Sequence, residues 1–232
     1  MRRQRRQQLQ SSSEGRLTAR PMGPEEPAEP GLSQLGIDHP RDGLLYVPGS
    51  YDPARPAPLI VMHHGAGGNA HHGIAPFLQL AEAAGVILLA PESRRQTWDV
   101  LYGEYGPDVT YIDQALAQTF TRYAVDPLRV ATEGFSDGAS YALSLGITNG
   151  DLFSHVIAFS PGFMAPAAVR GTPRCFISHG THDGVLPIDR CSRRIVPQIK
   201  TAGFEVEYRE FDGAHIVPVE IAREALQWFV DR

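Results

Sequence analysis

Val130-Ala131-Thr132-Glu133-Gly134-Phe135-Ser136-Asp137-Gly138-Ala139-Ser140 reads as an apolar strand, a tight turn and the start of an amphipathic helix, with Gly-x-Ser-x-Gly at the turn. A serine on so sharp a turn takes a strained backbone conformation. Small residues two before and two after it let strand and helix pass closely, and Gly134 and Gly138 supply that clearance. The turn lifts the hydroxyl of Ser136 clear of the chain and leaves the amide of Asp137 at a helix N-terminus, where developing negative charge is favoured. Glycines also flank serines in ordinary turns, so the pattern gains its weight from the strand before it and the helix after it.

Outward from this turn, short apolar runs alternate with segments of helical period, the signature of a mostly parallel sheet wrapped by helices on both faces. The strands expected are Leu44 to Val47, Leu59 to His63, Val86 to Ala90, Arg129 to Gly134, His155 to Ser160, Arg174 to His179 and Glu205 to Phe211. Most are unbroken apolar runs, as strands covered on both faces are. One helix shows Ile112, Ala115, Leu116, Thr119, Phe120 and Tyr123 on a single face and stops at Pro127. Others are expected near Ile74 to Ala84, Gly138 to Thr148, Ile188 to Thr201, with a kink or break at Pro197, and Val219 to Val230. The connection from Ser160 to Arg174 leaves no room for a lid domain, so a site at that end should be open.

A serine needs a base, and the base needs an acceptor that fixes its tautomer and stabilises the imidazolium. His215 follows the last strand in Phe211-Asp212-Gly213-Ala214-His215 and is the best base; His155, His179 and His182 precede or lie within earlier strands. Asp183, in Ser178-His179-Gly180-Thr181-His182-Asp183-Gly184, follows a strand end and is preferred as the acid over Asp189, which should point outward from a helix, and Asp212, which looks like a turn residue. After the run Leu59 to Val61 comes Met62-His63-His64-Gly65-Ala66-Gly67-Gly68, whose glycines allow backbone amides to turn toward the site. Ala66 is the expected second oxyanion donor beside Asp137. Trp98, Phe163, Met164 and Tyr141 are candidate substrate-binding walls, each equally readable as core. The histidines 63, 64, 71 and 72 invite a metal reading, but their spacing matches no ligand helix and neither cysteine nor carboxylate joins them. No metal and no cofactor is expected.

The chain has 232 residues, 42% hydrophobic and 20% charged, with net charge −5. That composition suits one domain with a single core and argues against a polyanion-binding surface, so nucleic acid is not the expected partner. Residues 1–32 are read as a disordered polar and Pro-rich leader opening on Arg2, Arg3, Arg5 and Arg6, and residues 33–232 as a single catalytic domain. No apolar h-region follows the arginines, and no stretch is long enough to span a membrane. Cys175 and Cys191 form no metal or redox spacing, which fits reduced thiols in the cytoplasm, with Cys175 buried and inert.

His64-Gly65-Ala66-Gly67-Gly68, Gly134-Phe135-Ser136-Asp137-Gly138, His179-Gly180-Thr181-His182-Asp183 and Gly213-Ala214-His215 occur in an order and spacing that resemble the α/β-hydrolase superfamily. The likeness is to its small phospholipase/carboxylesterase-like and polyhydroxybutyrate-depolymerase-like serine esterases, and it covers Leu44 to the C-terminus. The resemblance implies an α/β-hydrolase fold and hydrolysis of small carboxylic esters through an acyl-enzyme on Ser136, without a cofactor. Members of this group often form homodimers, a point the residues here leave open. A thioesterase, a peptidase or a polyester depolymerase would use the same triad, and a non-catalytic binding protein would keep the fold. Because the base must be neutral, activity should fall below about pH 6 to 7.

Overall fold

Along each central strand successive side chains enter opposite faces of the sheet, and both faces are apolar here, which is why the strands read as continuous hydrophobic runs. The computed structural model describes residues 10–25, 28–37 and 40–231. Its strands are β1 (Gly31–Gln34), β2 (Leu44–Val47), β3 (Ala57–His63), β4 (Ile87–Ala90), β5 (Val125–Phe135), β6 (His155–Phe159), β7 (Arg174–Gly180) and β8 (Val206–Phe211). The helices are α1 (Ala70–Ala84), α2 (Pro107–Arg122), α3 (Asp137–Thr148), α4 (Ser192–Thr201) and α5 (Val219–Val230). The sheet runs β1-β2-β4-β3-β5-β6-β7-β8. It is parallel from β4 to β8, and β1 and β2 are antiparallel.

Leu59, Val61, Leu89 and Val130 pack with Ile112 and Leu116 of α2 and Tyr141 and Leu145 of α3. Ile60, Met62, Leu88, Ala131 and Ile157 pack on the other face with Phe77 of α1 and Leu226 and Phe229 of α5. Ile195 and Ile199 of α4 close the first face against Leu143, Ala158 and Ile177. Chain order reverses at β3, with β4 on one side and β5 on the other, and open α/β sheets bind ligands at the carboxyl edge of such a point.

Several expectations need correction, among them the helix end placed at Pro127: α2 ends at Arg122, and Pro127 lies inside β5. Residues 10–25 are not a disordered leader: Leu17 is fully buried in the first core cluster. The Leu17 amide donates to Asn149 Oδ1 (2.9 Å), and the Thr18 and Ala19 amides donate to Asp113 Oδ1 (2.6 and 2.8 Å). Arg16 and Arg20 both pair with Asp151, and they hold its carboxyl well below the usual range. The segment lacks apolar periodicity because side chains distant in sequence satisfy its backbone and one leucine anchors it. The four early arginines lie outside the described residues. Next, α1 begins at Ala70 rather than Ile74, because Asn69 caps it by accepting from the His72 amide (3.1 Å). Finally, the break foreseen at Pro197 falls instead at Cys191, between a short 3₁₀ turn (Ile188–Arg190) and α4, which runs on through Pro197.

No lid element lies between β6 and β7. Among the described residues no helix is long and apolar enough to cross a membrane.

Candidate active site

Ser136 stands between β5 and α3 with φ 59° and ψ −120°, the strained conformation expected of the turn. The packing shows why glycine is needed on each side. A Cβ at Gly134 would overlap the Gly138 carbonyl, and one at Gly138 would overlap the carbonyl of His63. The serine amide donates to Phe159 O (2.9 Å), while its carbonyl accepts from Ala139 and Ser140 (3.0 and 3.1 Å), closing the first turn of α3 on the serine itself.

His215 and Asp183 meet this hydroxyl. His215 Nε2 lies 2.9 Å from Ser136 Oγ and Nδ1 lies 2.6 Å from Asp183 Oδ2. A carboxylate only accepts, so Nδ1 carries the hydrogen and Nε2 is the acceptor for the serine proton. Loop contacts hold the pair in register: a Cβ at Gly180 would overlap the Gly213 and Ala214 carbonyls, and the His182 amide donates to Gly213 O (2.9 Å). The rival acids are engaged elsewhere, Asp212 with His182 (2.9 Å) and Asp189 with Arg193 (2.8 Å).

The Asp183 side chain is fully buried. Burial opposes its charge, but the Leu186 amide, His215 and the Val185 amide outweigh it and keep the carboxyl below its usual range. Its Oδ1 accepts from Val185 (2.9 Å) and Leu186 (2.8 Å). His179 adds a second ring at Oδ2, 3.2 Å away through Nε2. That nitrogen also faces Leu186 O at 2.7 Å, so it is the donor, and Nδ1 accepts from Ser192 Oγ at 2.5 Å. His179 thus donates to the oxygens of Asp183 and Leu186, and burial lowers its pKa.

The glycine loop after β3 packs on the elbow, where a Cβ at Gly65 would sit 3.5 Å from that of Ser136. Gly67 donates to Gln96 O (2.8 Å) and Gly68 to Gly65 O (3.0 Å), whereas among the described residues the Ala66 amide has no such partner. The Asp137 amide, at the first position of α3, has no preceding helical turn to bond. Its side chain accepts from Thr97 (2.8 Å), tying the loop after β4 to the elbow.

Two of the four expected wall residues are core instead. Trp98 and Tyr141 are fully buried, stacked with centroids 4.8 Å apart, and the Trp98 indole donates to His64 O (2.8 Å). They support the glycine loop after β3 from beneath, because a wide ring at a strand end finds more apolar contact inward than outward. Phe163 and Met164 are half-buried on the segment after β6. Val185 and Ile216, close in sequence to Asp183 and His215, are exposed apolar side chains that the sequence reading did not single out. Single aliphatic residues in loops carry no sequence signal beyond their adjacency to Asp183 and His215.

His63 and His64 also turn inward. His63 Nδ1 donates to Glu133 O (2.8 Å), and His64 Nε2 accepts from the Ser93 amide (3.0 Å). Burial lowers their pKa values to about 3 and about 4. Among the described residues no group of three or more His, Cys, Asp or Glu side chains is placed to hold a metal. Cys175 and Cys191 are both free and buried, and burial pushes the Cys175 thiol up to about 12.

A family model described as "Putative esterase" matches residues 36–178. Feruloyl esterase C of Emericella nidulans is 31% identical over 157 residues, covering 64% of this chain and 57% of that protein. "Probable acetylxylan esterase A" of Aspergillus flavus is 30% identical over 124 residues, 50% of this chain and 40% of its own. The chain therefore spans less than two thirds of the curated relatives it matches. Among solved structures, esterase PE8 superposes with TM-score 0.66 at 21% identity over 80% of this chain and 96% of that one. An S-formylglutathione hydrolase from Agrobacterium tumefaciens gives 0.65 at 15% identity over 86% and 93%. These structural likenesses show the α/β-hydrolase fold, and the family match, which extends over more than half of the sequence, makes this chain a member of the Esterase family.

Proposed function

We propose that the chain is a serine carboxylesterase that hydrolyses small carboxylic esters through an acyl-enzyme on Ser136. The observation that carries this reading is the unbroken relay from Ser136 Oγ through His215 to Asp183, at 2.9 and 2.6 Å, on a strained elbow at the carboxyl edge of the sheet. The relatives' names, feruloyl and acetylxylan esterase, support a carboxylic ester as the scissile bond.

In this mechanism His215 Nε2 takes the proton of Ser136 as Oγ attacks the ester carbonyl, and the amides of Ala66 and Asp137 receive the oxyanion. The tetrahedral intermediate collapses as the C–O bond to the alcohol breaks and His215 returns the proton to the departing oxygen. Water then gives its proton to His215 while its oxygen attacks the acyl carbon, and the acid leaves with Ser136 re-protonated. Asp183 stays ionised throughout and stabilises the imidazolium formed in each half-reaction.

Ser136→Ala tests the reading. The variant should keep the wild-type circular-dichroism spectrum and melting curve yet hydrolyse p-nitrophenyl acetate at the uncatalysed rate, a loss of at least about 10³-fold. Retention of wild-type turnover would remove Ser136 from the chemistry.

A further inference from the structure

Three hydroxyls on α3, those of Ser140, Ser144 and Thr148, lie four residues apart and so share one stripe of the helix. Each donates to the carbonyl one turn back: Ser140 to Ser136 (3.4 Å), Ser144 to Ser140 (2.7 Å) and Thr148 to Ser144 (2.7 Å). With its proton committed, each oxygen keeps lone pairs for acceptance. These receive the amides of the irregular segment after β6. Gly162 (2.9 Å) and Phe163 (3.4 Å) donate to Ser140, Ala165 (2.9 Å) to Ser144 and Ala167 (3.1 Å) to Thr148.

The chain is steered onto this stripe by Ser160, whose φ of 53° is left-handed for a residue that is not glycine. Tyr105 secures the far side by donating its hydroxyl to Ala165 O (2.9 Å). At the near end, a Cβ at Gly162 would lie 3.3 Å from the side chain of Leu186, whose amide holds Asp183. The clipped segment thus joins the nucleophile's helix to the acid's loop. Back-bonding hydroxyls within a helix are common. Three in register, each also accepting from one foreign segment that has no secondary structure of its own, form a scaffold for that segment.

We propose that Ser140, Ser144 and Thr148 are positioning residues that hold the segment carrying Phe163 and Met164 as a fixed wall, and that this wall seats the bulkier apolar group of the ester. The proposal rests on the serine esterase reading above. With no lid element among the described residues, discrimination falls to walls already in place. Loss of the Ser140 hydroxyl would leave the Gly162 and Phe163 amides without their acceptor and let the wall shift, while the bonds of His215 to Ser136 and Asp183 do not run through that hydroxyl.

The test compares p-nitrophenyl benzoate with p-nitrophenyl acetate on wild type, Ser140→Ala, Ser144→Ala and Ser140→Thr. Active sites are counted by titration with a fluorophosphonate, so that losses in folding cancel. The expected result is a fall of about five- to tenfold in the benzoate-to-acetate ratio of kcat/KM for Ser140→Ala, expressed in the KM for benzoate and recovered in Ser140→Thr. Phe163→Ala should lower the same ratio, and the double variant Ser140→Ala/Phe163→Ala should be no worse than the poorer single one, since both remove one wall. If Ser140→Ala does not fold, Ser144→Ala and Thr148→Val carry the comparison. An unchanged ratio in the hydroxyl variants, or fully additive losses in the double variant, overturns the proposal and leaves the esterase reading standing. A folded wild type that neither labels nor hydrolyses either ester overturns both.

Discussion

At Glu133 the sequence places a carboxylic acid where the sheet offers only hydrocarbon. Its register partners on β3 and β6 are Met62 and Ile157, both in the apolar cluster beneath α1 and α5. Both carboxyl oxygens are buried and have no hydrogen-bond partner among the described residues, and burial raises the pKa well above the ordinary range. A folded-state value above the unfolded one means that the neutral acid's contribution is complete below the unfolded pKa and is lost as pH rises through the folded one. Glu133→Met, of similar length and without the polar head, should therefore stabilise the fold by about 1–3 kcal/mol at pH 8, with a smaller gain at pH 5. Urea denaturation at both pH values checks this; a variant less stable than wild type at pH 8 would contradict it. That Ser136, His215 and Asp183 come together was legible at this scale because glycine spacing, strand ends and the chain order Ser, Asp, His are all written in the sequence. The inward turn of Trp98 and Tyr141 was not, since a ring near a strand end has two faces to choose between and only packing decides.

Among the elements, the strands and helices were legible because two apolar faces write unbroken runs, whereas the strap over residues 10–25 was hidden because its ordering comes from outside it. Asp113 on α2 and Asn149 at the end of α3 accept three of its amides, and Leu17 fills a place in the core. Edge strand β1, exposed along its whole length, likewise shows no apolar alternation and is defined by pairing with β2. If the strap belongs to the domain, Leu17→Ala should cost about 2–5 kcal/mol, the usual range for a fully buried leucine, read as a lowered urea midpoint with an unchanged slope. A midpoint equal to wild type would mean that the segment contributes nothing to the folded state.

For the molecule as a whole, the sheet order brings the ends of β3, β5 and β7 together with the loop after β8, so four distant segments supply the candidate site, with no lid element among the described residues. A site whose exposed apolar neighbours in sequence are single side chains, Val185 and Ile216, offers little surface to a long acyl chain, and the acyl series from acetate to palmitate should show its highest kcat/KM among the short members; a maximum at palmitate would overturn that. The central claim is that His215 and Asp183 make the Ser136 oxygen the nucleophile. Its most direct measurement is fluorophosphonate labelling of the intact protein, with the modified residue located by peptide mass spectrometry in wild type and in His215→Ala. The account expects one adduct, on Ser136, with labelling in His215→Ala slowed by at least about 10³-fold. A folded wild type that takes no label, or takes it at another residue, would contradict it.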